Sequence, residues 1–290
     1  MKLTAAFSAA ALAAIAVAGP AGSQGRQSWV QQAAPFHIIG PVYSVGSEGL
    51  AVYLIHTKAG DILLDAGVPE IATQIENNIK TLGFDPKNIK ILLNSHAHFD
   101  HSGGLAQIKR DTGARLIASE GDKVSLETGT YLGSETVKAM GAPAVKVDQT
   151  VKDGGKVTLG EVTLTANLTP GHSRGCTSWT MPIVEAGVTH KAIFFCSATV
   201  AANRLAPNPQ YPGIVADYQS TFVKARALSK DIDIYFAPHS EFFDMAGKKA
   251  RLAAGAGSNP FIKKGEFAAA VDKFDADFKV ELAKQRAVKP

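Results

Sequence analysis

"NSHAHFDHSGG", residues 94–104, sets three histidines and an aspartate within the six positions from His96 to His101 of a 290-residue chain that is otherwise ordinary, 46% hydrophobic and 19% charged. In an extended segment successive side chains alternate, so His96 and His98 point to one side, Asp100 continues the alternation, and His101 follows as the chain turns. Imidazole nitrogen and carboxylate oxygen are zinc ligands, and a merely solvated loop has no reason to concentrate them. The preceding "IKILLNS" reads as a buried strand, "GGLAQIKRDTG" as a helix closed by Gly113, and "ARLIAS" as the next strand. The cluster therefore sits at the C-terminal end of a strand, in a strand, loop, helix, strand unit.

A catalytic zinc takes about three protein ligands and keeps a fourth position for water, so one ion cannot use all four side chains and leave water a place. Two further histidines end strands after a proline, His172 in "LTANLTPGH" and His239 in "DIDIYFAPH". The six candidates divide into two sets of three. A histidine at a strand end is ordinarily a hydrogen-bonded surface or core residue; the run at 96–101 is what raises these two to metal candidates. His37, His56 and His190 lack such company and read as structural.

Outward from the cluster, "FHIIG", "AVYLIHT" and "DILLDAG" look like the opening strands of a mostly antiparallel sheet. "PEIATQIENNIKTLGF" starts at Pro69, spaces Ile71, Ile75 and Ile79 four apart and meets Gly83 past its end, which predicts an amphipathic helix. The second half repeats the style in "KVTLG", "EVTLTANLTPG", "TSWTMPIV" and "KAIFFCS", then a helix in "DYQSTFVKARALSK", the strand "DIDIYFAPH", and helices to the end. In the last helix Phe267, Val271, Phe274, Phe278 and Leu282 share one face, as core packing requires. No composition break divides the halves. The expectation is an α/β fold in one domain, residues 24–290, with two sheets packed face to face and helices outside. Residues 132–149 have weak periodicity and read either as a mobile loop or lid or as a plain surface connection.

The opening "MKLTAAFSAAALAAIAVAGPAGSQG" has a lysine, a short apolar run and small residues, so residues 1–23 read as a signal peptide that is removed, with the mature chain in the periplasm. In an oxidising compartment Cys176 and Cys196 could pair; equally they could be two small buried hydrophobes. The formal net charge is +4 with dispersed lysines, which supplies no basic stripe for nucleic acid or a membrane surface. A small-molecule substrate and a monomeric chain are expected.

His96, His98, Asp100 and His101 form the His-x-His-x-Asp-His run that is the hallmark of the metallo-β-lactamase superfamily, which this chain resembles. Within it, "VGSEGLAVYLI", "TPGHSRGCTSWT" and "APHSEFFDMAGKKARLAAGAGSNPF" resemble the subclass B3 metallo-β-lactamases, over about residues 35 to 263. The resemblance implies a four-layer αβ/βα sandwich with its site along one sheet edge. It also implies two zinc ions, the first on His96, His98 and His172, the second on Asp100, His101 and His239. The implied activity is zinc-dependent hydrolysis of the β-lactam amide, conferring antibiotic resistance, with Asp100 as both ligand and catalytic residue. A pair of zinc ions ~3.5–4 Å apart lowers the pKa of bound water towards ~7 and holds the attacking and leaving atoms together.

The superfamily also holds glyoxalase II, lactonases and nucleases. Several of these carry a metal-bridging aspartate at the end of a strand where this chain has "AIFFCSATV", with Ser197 in that place. Serine there resembles subclass B3, in which it and a hydroxyl two residues on bind the substrate carboxylate; that implies Ser197 and Thr199, unless both hydroxyls merely satisfy nearby backbone. Ser173 and Arg174 depart from the subclass, which tends to have Thr-Pro. The competing expectations are another superfamily hydrolase, such as an acyl-homoserine lactonase or thioesterase, and a periplasmic zinc-binding protein with no turnover.

Overall fold

Two mixed sheets account for the strands, in a computed structural model that describes residues 26–130, 140–255 and 257–287. The expected signal peptide and residues 132–139 of the weakly periodic segment lie outside the described residues. The first sheet orders β1 (Phe36–Ile39), β2 (Val42–Ser44), β3 (Tyr53–Thr57), β4 (Gly60–Leu64), β5 (Ile89–Leu93), β6 (Arg115–Ser119) and β7 (Gln149–Val151) as they occur in the chain. The second runs β12 (Ile234–Phe236), β11 (Val188–Phe194), β10 (Thr177–Glu185), β9 (Val162–Leu168), β8 (Lys156–Leu159).

The expectation of a mostly antiparallel opening sheet holds for β1 to β4, whereas β4 to β7 pair in parallel. The reason lies in the connections. Helices Ala72–Thr81, Leu105–Thr112 and Glu120–Thr128 fall between these strands, and a crossover through a helix returns the chain in the same direction.

Strands covered on both faces read as continuous apolar runs, and "ILL", residues 91–93 of β5, is one. Ile62, Leu64, Leu93 and Ile117 face the second sheet and pack in one core with Leu164, Trp179 and Ile193. The alternate residues Leu63, Leu92 and Leu116 pack against Ile71, Ile75, Ile79, Leu105 and Ile108 of the helices outside. On the far side, Phe267, Val271 and Phe278 of helix Glu266–Ala287 join Tyr218 and Phe222 of helix Ile214–Ser229 in the first of these cores. From residue 140 the weakly periodic segment is pinned: Val145 and Val147 are buried, and the Val145 and Asp148 amides donate to the carbonyls of Leu126 and Leu116.

This topology aligns strand ends. β9 and β10 are antiparallel, as are β10 and β11, while β11 and β12 are parallel, so β9, β11 and β12 all run the same way. Their C-terminal ends, with that of β5, deliver residues 94–101, 169–172, 195–199 and 237–239 to one edge of the sandwich.

Candidate metal centre

His98 is the last extended residue of the cluster, with φ −69° and ψ 146°, and a one-turn helix, Phe99–Ser102, starts behind it. Asp100 and His101 therefore sit on that turn and do not continue the strand-like alternation expected of Asp100; the amides of His101 and Ser102 both donate to the His98 carbonyl. His172 follows Gly171, whose φ of +130° and lack of a side chain are both needed, since a Cβ there would lie 2.8 Å from the Tyr218 ring. His239 is clamped from either side: the Ala51 amide donates to the Pro238 carbonyl and the Ser240 amide to that of Gly49.

The six candidates converge as two groups, His96, His98 and His172, and Asp100, His101 and His239, each with one donor atom per residue within 4.8 Å of the others. Five are buried, and His239 is nearly so. In the first group Nδ1 of His172 lies 2.7 Å from the Thr199 carbonyl. A carbonyl only accepts, so Nδ1 carries the hydrogen and Nε2 a lone pair. His96 reaches the same state by another route. The Ser95 hydroxyl donates to Asp65 Oδ2 at 2.7 Å and so accepts from His96 Nδ1 at 2.9 Å. The two Nε2 atoms then face each other across 3.2 Å with a lone pair each. Such a contact repels by itself and is relieved by a cation between them, so the donor set fits a metal ion.

Electrostatics agree with that assignment. Burial and the neighbouring imidazoles push His96 and His98 well below the ordinary histidine range, and burial takes His172 down to about 4. All three stay neutral, as ligands must be. In the second group burial works to raise Asp100, but the imidazoles of His101 and His239, whose Nε2 atoms lie 3.2 and 3.4 Å from Oδ2, hold its carboxyl well below the usual range. Burial opposes the charged form of His101, yet the Asp100 carboxylate raises it overall. One group is neutral and the other charged.

Both open onto a cleft of about 590 Å³, surrounding solvent space included, lined by His98, Asp100, His172, His239 and Thr199, with Trp29, Phe99 and Met140 as apolar walls. Thr199 thus reaches the cleft. Ser197 does not line it: it is buried, and its Oγ accepts the Thr199 amide and contacts the Thr199 hydroxyl, both at 3.2 Å. His56 bonds Asp61 at 2.7 Å and His37 the Gly40 carbonyl at 2.8 Å, while His190 lies 3.5 Å from Asp233, so all three have structural partners away from the cleft. Cys176 and Cys196 form a disulfide, their Cα atoms 5.8 Å apart.

Two carboxylates below the site escaped the sequence reading. Asp65, at the end of β4 with φ 63°, accepts from Ser95 N and Oγ and from Asn94 Nδ2, bracing the strand end that leads to His96. Asp122 lies under the loops of His98 and His172. Neither has a local signature, since each acts on residues more than twenty positions away.

Residues 49–187 match the Metallo-beta-lactamase superfamily. Over 91% of this chain and 98% of the other, the fold superposes on BJP-1, a subclass B3 metallo-beta-lactamase of Bradyrhizobium japonicum, with 47% identity and a TM-score of 0.88. The chain belongs to the metallo-β-lactamase superfamily. FEZ-1 from Legionella gormanii, a metallo-beta-lactamase of the same superfamily, gives 34% identity over 89% of this chain and 98% of that one, with a TM-score of 0.85. Among curated proteins the hydroxyacylglutathione hydrolase of Hyphomonas neptunium is 28% identical over 49% of this chain and 47% of its own length. The chain spans about half the length of the first curated relatives it matches. The superfamily's αβ/βα sandwich is the architecture of this chain, and the two groups of histidine and aspartate side chains lie at its cleft.

Proposed function

We propose that this protein is a periplasmic β-lactamase that hydrolyses the β-lactam amide with two zinc ions, one on His96, His98 and His172 and one on Asp100, His101 and His239. The observation that carries this reading is the pair of triads side by side on the floor of one cleft, with no carboxylate at the end of β11, where Ser197 stands. A metal-bridging aspartate at that place would favour the thioester hydrolases of the superfamily. The disulfide supports an oxidising compartment.

When bound, the ions would supply a water nucleophilic near neutral pH and Lewis-acid polarisation of the carbonyl. The chain's own residues do the rest. His96 and His172 present Nε2 lone pairs held in place by the Ser95 hydroxyl and the Thr199 carbonyl. Asp100 stays ionised, its Oδ2 turned to His101 and His239, and its carboxylate would both hold an ion and orient the attacking water. Thr199 offers a hydroxyl to a substrate carboxylate, and Ser197 holds the Thr199 amide. Trp29, Phe99 and Met140 exclude water from the substrate's apolar parts.

The test is the ultraviolet absorbance of a carbapenem and a cephalosporin incubated with the purified protein, with chelator, and with zinc restored. Loss of the lactam chromophore that stops on chelation and returns with zinc is the expected result. Intact lactams with zinc bound would turn the assignment to thioesters and lactones, the reading favoured by the hydroxyacylglutathione hydrolase similarity.

A further inference from the structure

The helix Glu120–Thr128 carries a carboxylate that no step above uses. Asp122 is 3% exposed, and the groups that hold its carboxylate are hydrogen-bond donors. Its Oδ2 accepts the Ala97 amide at 3.0 Å and the Ser173 hydroxyl at 2.7 Å, and Oδ1 accepts the Gly175 amide at 2.8 Å. Ala97 lies between His96 and His98; Ser173 and Gly175 follow His172. One side chain thus ties two loops far apart in sequence, alongside the Thr177 amide that donates to the Ser95 carbonyl.

The approach is too close for ordinary side chains. A Cβ on Gly175 would lie 2.5 Å from Asp122 Cγ, and one on Gly121 would lie 2.7 Å from the Arg174 carbonyl oxygen. Ser119 Oγ adds a bond to the Gly175 carbonyl at 2.6 Å. A buried carboxylate is costly to keep, and here its three donors offset that cost; an apolar residue at this helix position would leave two amides and a hydroxyl unpaired. What the carboxylate provides is three directed bonds, all to the loops of the first triad and none to Asp100, His101 or His239.

We propose that Asp122 is a positioning residue for the first metal site: its carboxylate fixes the loop of His96 and His98 against the loop of His172, and so sets the affinity and geometry of the ion held there but not of its neighbour. This rests on the metal-binding reading of the triads and not on the choice of β-lactams as substrate.

Asp122→Asn tests it, because the amide keeps the shape but turns an NH₂ towards an N–H donor. Metal-free native and variant protein are titrated with Co²⁺, followed by visible absorbance, and with Zn²⁺ against a chromophoric chelator. Repeating the titration in a His239→Ala background isolates the three-histidine site. Its affinity should fall at least about tenfold and its Co²⁺ band should shift, while the other site stays within about twofold. Two unchanged affinities would overturn the proposal. So would an equal fall at both sites alongside a lower Tm, the mark of a purely structural carboxylate.

If Asp122→Asn does not fold, Ser173→Ala decides alone: removing one donor of three should weaken the three-histidine site about threefold, and unchanged affinity refutes the role. Native protein that binds both ions yet opens no β-lactam defeats the proposed function and leaves Asp122 standing. Native protein that binds no ion defeats both.

Discussion

The two triads stand side by side yet are held by opposite means. His96 and His172 are neutral, and each has Nδ1 fixed by a dedicated partner, the Ser95 hydroxyl and the Thr199 carbonyl. Asp100, His101 and His239 form a charged knot whose members mainly hold one another, and Nδ1 of His239 looks towards Glu241, 64% exposed and 3.9 Å away. The first triad is preorganised by scaffold; the second would attract an ion by charge. Neutral donors lose little when their surroundings are screened, whereas the charged set depends on Asp100 alone for its negative charge.

The largest effect is expected at His172. His172→Ala should lower kcat/KM by at least about a thousandfold, ~4 kcal/mol of barrier, and release one ion per chain. Steady-state kinetics with metal analysis checks this, and activity within tenfold of native would remove the first triad from the chemistry.

Acidification separates the triads by sign. With His172 at about 4 when folded, the unfolded chain takes up its proton first, so metal-free protein should lose roughly 3 kcal/mol as pH falls from about 6.5 towards 4. His101, raised by Asp100, contributes the reverse: stability present at low pH and lost as pH climbs through its elevated pKa. Urea midpoints of chelator-treated protein against pH read both, and a His172→Asn chain should show a flatter acid limb. An unchanged limb contradicts the assignment.

Asp100→Asn sharpens the charge argument. Turnover should drop about a hundredfold, ~2.7 kcal/mol, with the fold and the first-triad ion retained. Loss of both ions would mean that the two sets are one. The smallest effect is expected for Glu241→Gln, which removes an exposed charge near His239: a change in second-site affinity of no more than about twofold, fading in salt.

Much of this was legible because the decisive residues are close in sequence. Four candidate ligands occupy six positions, and the last two follow strand text that ends in proline. The core faces of β4, β5 and β6 were equally plain from their apolar runs. What escaped was set by distance. Parallel pairing of β4 to β7 depends on crossovers whose partners sequence does not name, and the short β7 lay in text without period. Asp65 and Asp122 looked like ordinary acids in "DILLDAG" and "ASEGD", because their bonds are made to residues brought close only by the fold. The helix around Asp122 buries just Asp122 and Leu126, too few apolar positions to print a period.

The clamp on His239 joins distant parts of the chain. Its imidazole meets that of His101 across 138 residues, and the Leu50–His239 bridge ties the same point to the loop between β2 and β3. An ion on the second triad would therefore bridge the two halves of the chain, bound by Asp100 and His101 of the first and His239 of the second. Removing it should then loosen the packing of one half on the other, which hydrogen exchange of chelated against zinc-loaded protein would read at the ends of β5 and β12.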